Sequence, residues 1–215
     1  MTDEVTHRRG HGREAGRPRQ RVVVLAGPSG SGKSRLAARL HQAHGWPIFR
    51  LDDFYRDEDD PAMPRSEGLG IVDWDHPDSW DAERAVASLC ELVDTGRTDT
   101  PDYDISRSRA VGHREVSAGP DDLVIAEGIF AAEVVARLRD AGVLHSAWCV
   151  HHHRAVTFVR RLARDLKERR KPPLVLVRRG LALMRAEPDV IRRQTDLGAH
   201  PARAADLERQ LVASS

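Results

Sequence analysis

The 215-residue sequence predicts an α/β fold in which a parallel sheet is covered on both faces by helices. Three observations carry this. Short, continuous apolar runs recur along the chain, stretches with helical apolar spacing alternate with them, and the first run leads straight into a glycine-rich turn that opens a helix. Val22-Val23-Val24-Leu25-Ala26 is the first buried strand, and Ser34 to His44 follows as a helix with Leu36, Ala37 and Leu40 on one side. Ile48 to Leu51 reads as a second strand. Residues 52–80, dense in Asp, Pro and Gly, read as a long functional loop. Asp81 to Val93 has Ala85, Leu89 and Leu92 at helical spacing. Leu123 to Ala126 is another buried strand, with a helix to about Arg139, and Ala147 to Val150 is a further one. Ala155 to Arg169 is a strongly basic helix. The remainder reads as helical, interrupted at Pro172-Pro173, Pro188 and Pro201, with no closing strand from Leu174 to Ser215. There are no repeats and no second core, so residues 21–215 form one domain, with 174–215 as its C-terminal helical segment. Residues 1–20, rich in Arg, Gly and His, read as a disordered basic tail.

Composition narrows the function classes. Hydrophobic residues make up 40% and charged ones 31%, as in a globular chain. No apolar run is long enough to span a bilayer, and the N-terminus has no apolar signal core. Cys90 and Cys149 are too few for a disulfide scaffold or a cysteine zinc cluster, and suit a reducing, cytoplasmic setting. The net charge of +1 hides a segregation: Asp52 to Glu133 holds 22 acidic and 7 basic residues, whereas Arg154 to Arg193 holds 13 basic and 4 acidic. Such a chain is suited to handling a cation in one region and phosphate in another, although solvated helix faces produce the same counts.

Gly27-Pro28-Ser29-Gly30-Ser31-Gly32-Lys33-Ser34 fits the phosphate-loop pattern G-x-x-x-x-G-K-S/T, and it lies between a strand and a helix as the mechanism requires. The glycines let backbone N–H groups turn inward around phosphate oxygens, and the helix N-terminus adds positive potential. Gly27, Ser29, Gly30, Ser31, Gly32, Lys33 and Ser34 are therefore the expected ATP-binding set, with Lys33 on the β- and γ-phosphates and the Ser34 hydroxyl on Mg²⁺. The chain has only three lysines, Lys33, Lys167 and Lys171, so one of them sits where a compact ammonium must fit beside phosphate. The fold is accordingly expected to be a three-layer sandwich of P-loop NTPase type.

A phosphoryl acceptor needs a carboxylate near the γ-phosphate, and Mg²⁺ needs oxygen ligands. Asp52 and Glu127, each just after a predicted strand, occupy the sheet edge where such groups project. With the phosphate loop, these residues belong to an ordered series: Asp52-Asp53-Phe54-Tyr55, the run Asp73 to Asp81, Pro101-Asp102-Tyr103-Asp104, Glu127-Gly128-Ile129 and Arg160 to Asp165. From about Val22 to Arg170 the chain resembles the uridine–cytidine kinases, with phosphoribulokinase and pantothenate kinase as more distant likenesses. The resemblance implies ATP-dependent transfer to the 5′-hydroxyl of a nucleoside, with Asp52 as general base near Mg²⁺. It implies Glu127 as a holder of Mg²⁺ or its waters, Asp75 on the ribose hydroxyls, Tyr55 and Tyr103 flanking the base, and Arg109 in the nucleoside pocket. Packing is the alternative for both tyrosines, and Trp74 and Trp80 read as packing residues. His76 fits a turn, and the consecutive His151, His152 and His153 cannot all face one ion from a strand end.

Arg160, Arg161, Arg164 and Arg169 can share one side of the basic helix. They suit a helical lid over residues 154–173 that clamps ATP, with Arg164 and Arg169 assisting catalysis, because phosphoryl transfer uses mobile arginines on the equatorial oxygens. A nucleic-acid surface would interleave aromatics, and Phe158 alone does not. The chain departs from the family at Arg107, where a base-contacting histidine is usual. The acceptor therefore stays open to another small hydroxylated metabolite, such as a sugar phosphate or a pantothenate-like compound. A nucleotide switch or nucleic-acid-associated ATPase is a third reading, weakened by the lack of an N-K-x-D element. The chain is also open to homo-oligomerisation.

Overall fold

Val22 to Ala26 form strand β1, and every one of these five residues is fully buried. A strand that buries both faces must be central and must have its backbone groups paired on both sides. β1 meets this by pairing in parallel with β5 (Val124–Glu127) and β6 (Leu144–Val150). β2 (Ile48–Arg50) extends the sheet beyond β5, and β7 (His200–Ala202) extends it beyond β6, giving the parallel order β2-β5-β1-β6-β7. A computed structural model of the chain describes residues 19–66, 70–152 and 187–213. The expected lid, with Arg160, Arg161, Arg164 and Arg169, lies outside the described residues, as does His153.

Helices cover both faces of the sheet. On one side α1 (Lys33–His44) lays Leu36, Ala37 and Leu40 against Val23, Leu25 and Ile125. The opposite side is covered by α2 (Ala82–Thr95) and α3 (Val135–Asp140), which pack Ala85, Leu89, Leu92 and Leu138 against Val22, Val24 and Val124. The start of α2 is set by Asp81, whose carboxylate accepts the Arg84 N–H at 2.9 Å, and Gly96 ends it in the left-handed conformation. Residues 187–196 form helix α4, joined to β6 through the Cys149 thiol, which donates to Gln194 at 3.3 Å. Helix α5 (Ala204–Ala213) returns to the α1 side and buries Leu207 and Leu211. Among the described residues, no helix is long and apolar enough to cross a membrane.

Two elements differ from the sequence expectation. Residues 200–202, expected to be helical, form β7. A three-residue strand carrying Pro201 has no periodic signal of its own and is recruited by the open edge of β6. The second difference is an antiparallel hairpin of β3 (Arg97–Asp104) and β4 (Arg109–Ser117) where no strand was expected. β3 alternates strictly at first, but its inward positions are Thr98 and Thr100, and most of β4 is exposed, so the apolar alternation that marks a half-buried strand is missing. The hairpin turn is local chemistry: Asp104 accepts from the Ser106 N–H at 2.8 Å, and Ser108 takes φ 52.

Arg21, 5% exposed, joins three segments by donating to the carbonyls of Val93, Gly119 and Pro120. Replacing it with Met would strand buried carbonyls that each lose a charge-assisted bond. Arg21→Met is expected to lower the unfolding free energy by about 3 kcal/mol. Urea denaturation of both proteins measures this directly.

Candidate active site

The phosphate loop leaves β1 at Gly27, and its tightness comes from glycines in the left-handed region: Gly27 at φ 140, Gly30 at φ 82 and Gly32 at φ 96. Lys33, the first residue of α1, is only 8% exposed, and its Nζ donates to the carbonyls of Gly27 at 2.7 Å and Pro28 at 3.3 Å. The ammonium is thus folded back along the loop. Ser31 is fully buried inside the loop, and its Oγ has no hydrogen-bond partner there.

Beside the loop, β5 ends in the acid Glu127, and β2 is followed, two residues past its end, by Asp52. The register of the sheet sets Glu127 level with Leu25 on one side and Arg50 on the other. Glu127 Oε2 accepts from the Ser34 hydroxyl at 2.9 Å. Burial pushes the Glu127 carboxyl upward and the Asp52 charge adds to it, while the Ser34 hydroxyl, Lys33 and Arg50 oppose without overcoming burial. Asp52 lies on the short 3-10 turn Leu51–Phe54 directly after β2, and its Oδ1 accepts the Ile129 N–H at 2.9 Å. This approach requires Gly128, because a Cβ there would lie 2.8 Å from Asp52 Oδ1 and 2.8 Å from the Leu51 Cβ.

A cavity of about 450 Å³ opens at this sheet edge. Its inner end is lined by Ser29, Gly30, Lys33 and Ser34 from the loop, with Asp52 and Glu127. Its outer end is aromatic and aliphatic: Tyr55, Trp74, Tyr103, Ile105 and Ile129. Tyr55 stands edge-on to Trp74, with ring centroids 5.8 Å apart, and its hydroxyl donates to the Trp74 carbonyl at 3.4 Å. The Tyr103 hydroxyl donates to the Arg56 carbonyl at 3.1 Å. Both phenols are pushed upward, Tyr103 to about 12, mainly by burial and then by nearby carboxylates, so both stay neutral donors.

The expected site residues do not all meet here. Asp75 is exposed and does not line the cavity, although it is near enough to Tyr55 to raise its phenol. Arg109 donates to Asp59 at 3.3 Å, and the cavity is lined instead by its neighbour Ser108. Arg107 is paired with Asp104 at 3.4 Å. Trp74, expected only to pack, forms part of the wall, whereas Trp80 is buried and stacks on Phe130. His76 accepts the Asp78 N–H, as a turn residue does. Arg35, Ile105 and Ser108 have no role in the sequence expectation, and Ile129 enters it only as the last residue of Glu127-Gly128-Ile129, without a role. Arg35 directly follows the phosphate-loop motif, a positional signal, whereas Ile105 and Ser108 depend on the hairpin turn.

Arg35 also lines a smaller recess of about 230 Å³ behind the loop, together with Gly32, Arg39, His152, Ala204 and Ala205. The closing strand β7 brings α5 into this position, and Arg39 pairs with Glu208 of α5 at 2.8 Å. Among the described residues no three His, Cys, Asp or Glu side chains gather around a metal position.

The chain is similar to known kinases over this same region. The family model of the phosphoribulokinase/uridine kinase family matches residues 22–194. A uridine kinase of Lactobacillus johnsonii is 32% identical over 155 residues, covering 69% of each chain. One of Deinococcus deserti is 30% identical over 173 residues, covering 79% of this chain and 80% of that one. Among solved structures, a candidate fructose transport system kinase of Silicibacter sp. TM1040 aligns over 84% of this chain and 87% of its own, at 25% identity and a TM-score of 0.57. The matched region contains the phosphate loop and both strand-end acids, and this chain belongs to the phosphoribulokinase/uridine kinase family, as an ATP-dependent small-molecule kinase.

Proposed function

We propose that the protein transfers the γ-phosphoryl group of ATP to the 5′-hydroxyl of a nucleoside, uridine or cytidine. The observation that carries this reading is the polarity of the cavity. Among the described residues its cationic lining is Lys33 and Arg35, of the phosphate loop and α1, while its outer end is a neutral wall of Tyr55, Trp74, Tyr103, Ile105 and Ile129. Among the described residues the arginines around that end are paired with carboxylates: Arg109 with Asp59, Arg107 with Asp104, and Arg114 with Asp53. A neutral acceptor with a flat ring suits this wall, whereas a phosphorylated sugar would need a cation there.

In this reading Asp52 takes the proton of the acceptor hydroxyl as its oxygen bonds to the γ-phosphorus and the bond to the β–γ bridging oxygen breaks, releasing ADP. Lys33 leaves its loop carbonyls to neutralise the β- and γ-phosphates. Asp75 binds the nucleoside from the rim, and Arg109, held by Asp59, borders the acceptor end through its neighbour Ser108. The recess at Ala204 and Ala205 receives the base of ATP. Ser34, Glu127 and Asp52 form an all-oxygen donor set whose converging carboxylates fit Mg²⁺, an ion held through one or two carboxylates together with substrate phosphates. When bound, Mg²⁺ would supply charge neutralisation for the transferred phosphoryl group.

An acceptor panel tests the assignment. With ATP and Mg²⁺, ADP release is expected with uridine or cytidine at a kcat/KM about 100-fold or more above that of any sugar phosphate. Fructose belongs in the panel because the Silicibacter protein is similar to this chain. A preference for fructose or a sugar phosphate would overturn the nucleoside reading.

A further inference from the structure

The carboxylate next to the proposed base does a different job. Asp53 is 1% exposed, yet it is charged chemistry in a buried place. Its Oδ2 accepts from Arg114 Nη2 at 2.8 Å, and its Oδ1 lies 3.3 Å from Arg50 Nη2. Arg50 is the last residue of β2, and Arg114 stands in the middle of β4. The same carboxylate therefore joins the end of the sheet, the turn carrying Asp52, and the hairpin carrying Tyr103.

That hairpin needs such a tie. It is a separate two-stranded ribbon, and a ribbon of this kind is marginal by itself. Much of what holds it is polar and runs to the segment just after Asp52. Tyr103 donates to the Arg56 carbonyl, the Glu58 N–H donates to the Ser108 carbonyl at 2.9 Å, and the Ala110 N–H donates to Asp57 at 2.8 Å. Asp57 and Asp59 are at most partly buried, so water competes for those ties, whereas the Asp53 carboxylate is shielded. The backbone of Arg114 is itself fixed, because the buried Thr100 hydroxyl donates to its carbonyl at 3.1 Å. A charge-assisted bond between two fixed elements transmits position.

We infer that Asp53 is a positioning residue: through Arg114 it locks the hairpin to the Leu51–Phe54 turn, so that the acceptor wall and Asp52 keep one relative placement. The inference rests on the reading that the acceptor occupies this cavity, but not on the acceptor being a nucleoside.

The test uses Arg114→Gln, Arg114→Lys and the double variant Asp53→Asn/Arg114→Gln, assayed with whichever alcohol the wild-type enzyme phosphorylates. Arg114→Gln removes the shorter of the two guanidinium contacts of the buried carboxylate and leaves Arg50 at 3.3 Å, and is expected to raise the acceptor KM about tenfold while the ATP KM stays within about twofold. The double variant removes the under-compensated charge and restores an amide pair across the same gap, so its acceptor KM is expected within about threefold of wild type. Arg114→Lys keeps the charge and is expected to fall between the two. Amide hydrogen exchange gives a readout free of any acceptor: in Arg114→Gln residues 97–117 and 51–60 should exchange faster together, while β1 and β5 stay protected. An acceptor KM that is unchanged, or that moves in step with the ATP KM, overturns the inference, as does exchange unaltered in the hairpin. Should Arg114→Gln not fold, the same comparison between Arg114→Lys, the double variant and wild type decides it. A wild-type enzyme that ignores nucleosides but phosphorylates another alcohol overturns the nucleoside reading and leaves this one standing.

Discussion

Asp52→Asn is expected to lower kcat by about a thousandfold while ATP binds within about threefold of wild-type affinity, the size of effect seen when a positioned base is removed. The substitution is nearly isosteric. An Asn side-chain oxygen can still accept the Ile129 N–H that Asp52 Oδ1 accepts at 2.9 Å, so the turn after β2 keeps its shape. What disappears is the negative charge and with it the proton-accepting role that the proposed reaction gives Asp52. The phosphate loop is untouched, since Lys33 is held by the carbonyls of Gly27 and Pro28. A coupled ADP-release assay gives kcat, and calorimetric titration with a non-hydrolysable ATP analogue gives the affinity. Turnover near the wild-type rate would remove Asp52 from the role of base.

Gly27→Ala is expected to act on the other substrate, weakening ATP binding by about a hundredfold and lowering stability by about 2 kcal/mol. Gly27 sits at φ 140, a region that L side chains rarely adopt, and a Cβ there would lie 2.3 Å from the Val150 carbonyl oxygen and 2.9 Å from Ser31 Oγ. Val150 ends β6, an interior strand paired on both sides, and is itself fully buried, so its backbone cannot withdraw. The loop must move instead, and it carries the Gly27 carbonyl that accepts from Lys33 at 2.7 Å. Both the anion-binding amides and the ammonium would be displaced. Gly112→Ala is the matched control, because a Cβ at Gly112 would meet nothing within 4 Å. Calorimetric titration with the ATP analogue and urea denaturation of the three proteins check both effects, and an unchanged ATP affinity in Gly27→Ala would contradict this account of the loop.

How much of this was legible beforehand depends on the range of the interaction. Helix α2 could be read because its signals are local: Asp81 caps it, Gly96 ends it, and Ala85, Leu89 and Leu92 repeat on one side. The strands β1, β5 and β6 announced themselves as apolar runs because parallel central strands bury both faces. The phosphate loop was the clearest feature of all, since its chemistry needs glycines and one lysine at adjacent positions. Its neighbours Asp52 and Glu127 could be nominated from the strand ends that precede them.

The hairpin and β7 have no signature in the sequence for a common reason: each is held by pairing rather than by apolar periodicity, and pairing partners are not visible along the chain. The same holds for the outer wall of the cavity. Trp74 belongs to it because the Tyr55 hydroxyl and the Ser79 hydroxyl both donate to its carbonyl, at 3.4 Å and 3.2 Å. Arg109 is turned to Asp59, 50 positions away, and Arg114 to Asp53, 61 positions away. By itself the sequence determined the sheet, the phosphate loop and the chemistry available at the strand ends, because backbone conformation and burial period are written in neighbouring residues. Only the tertiary structure decided which arginines are spent on carboxylates and which aromatic rings line the cavity. Those choices are made by charges and edges that meet only once the chain has folded.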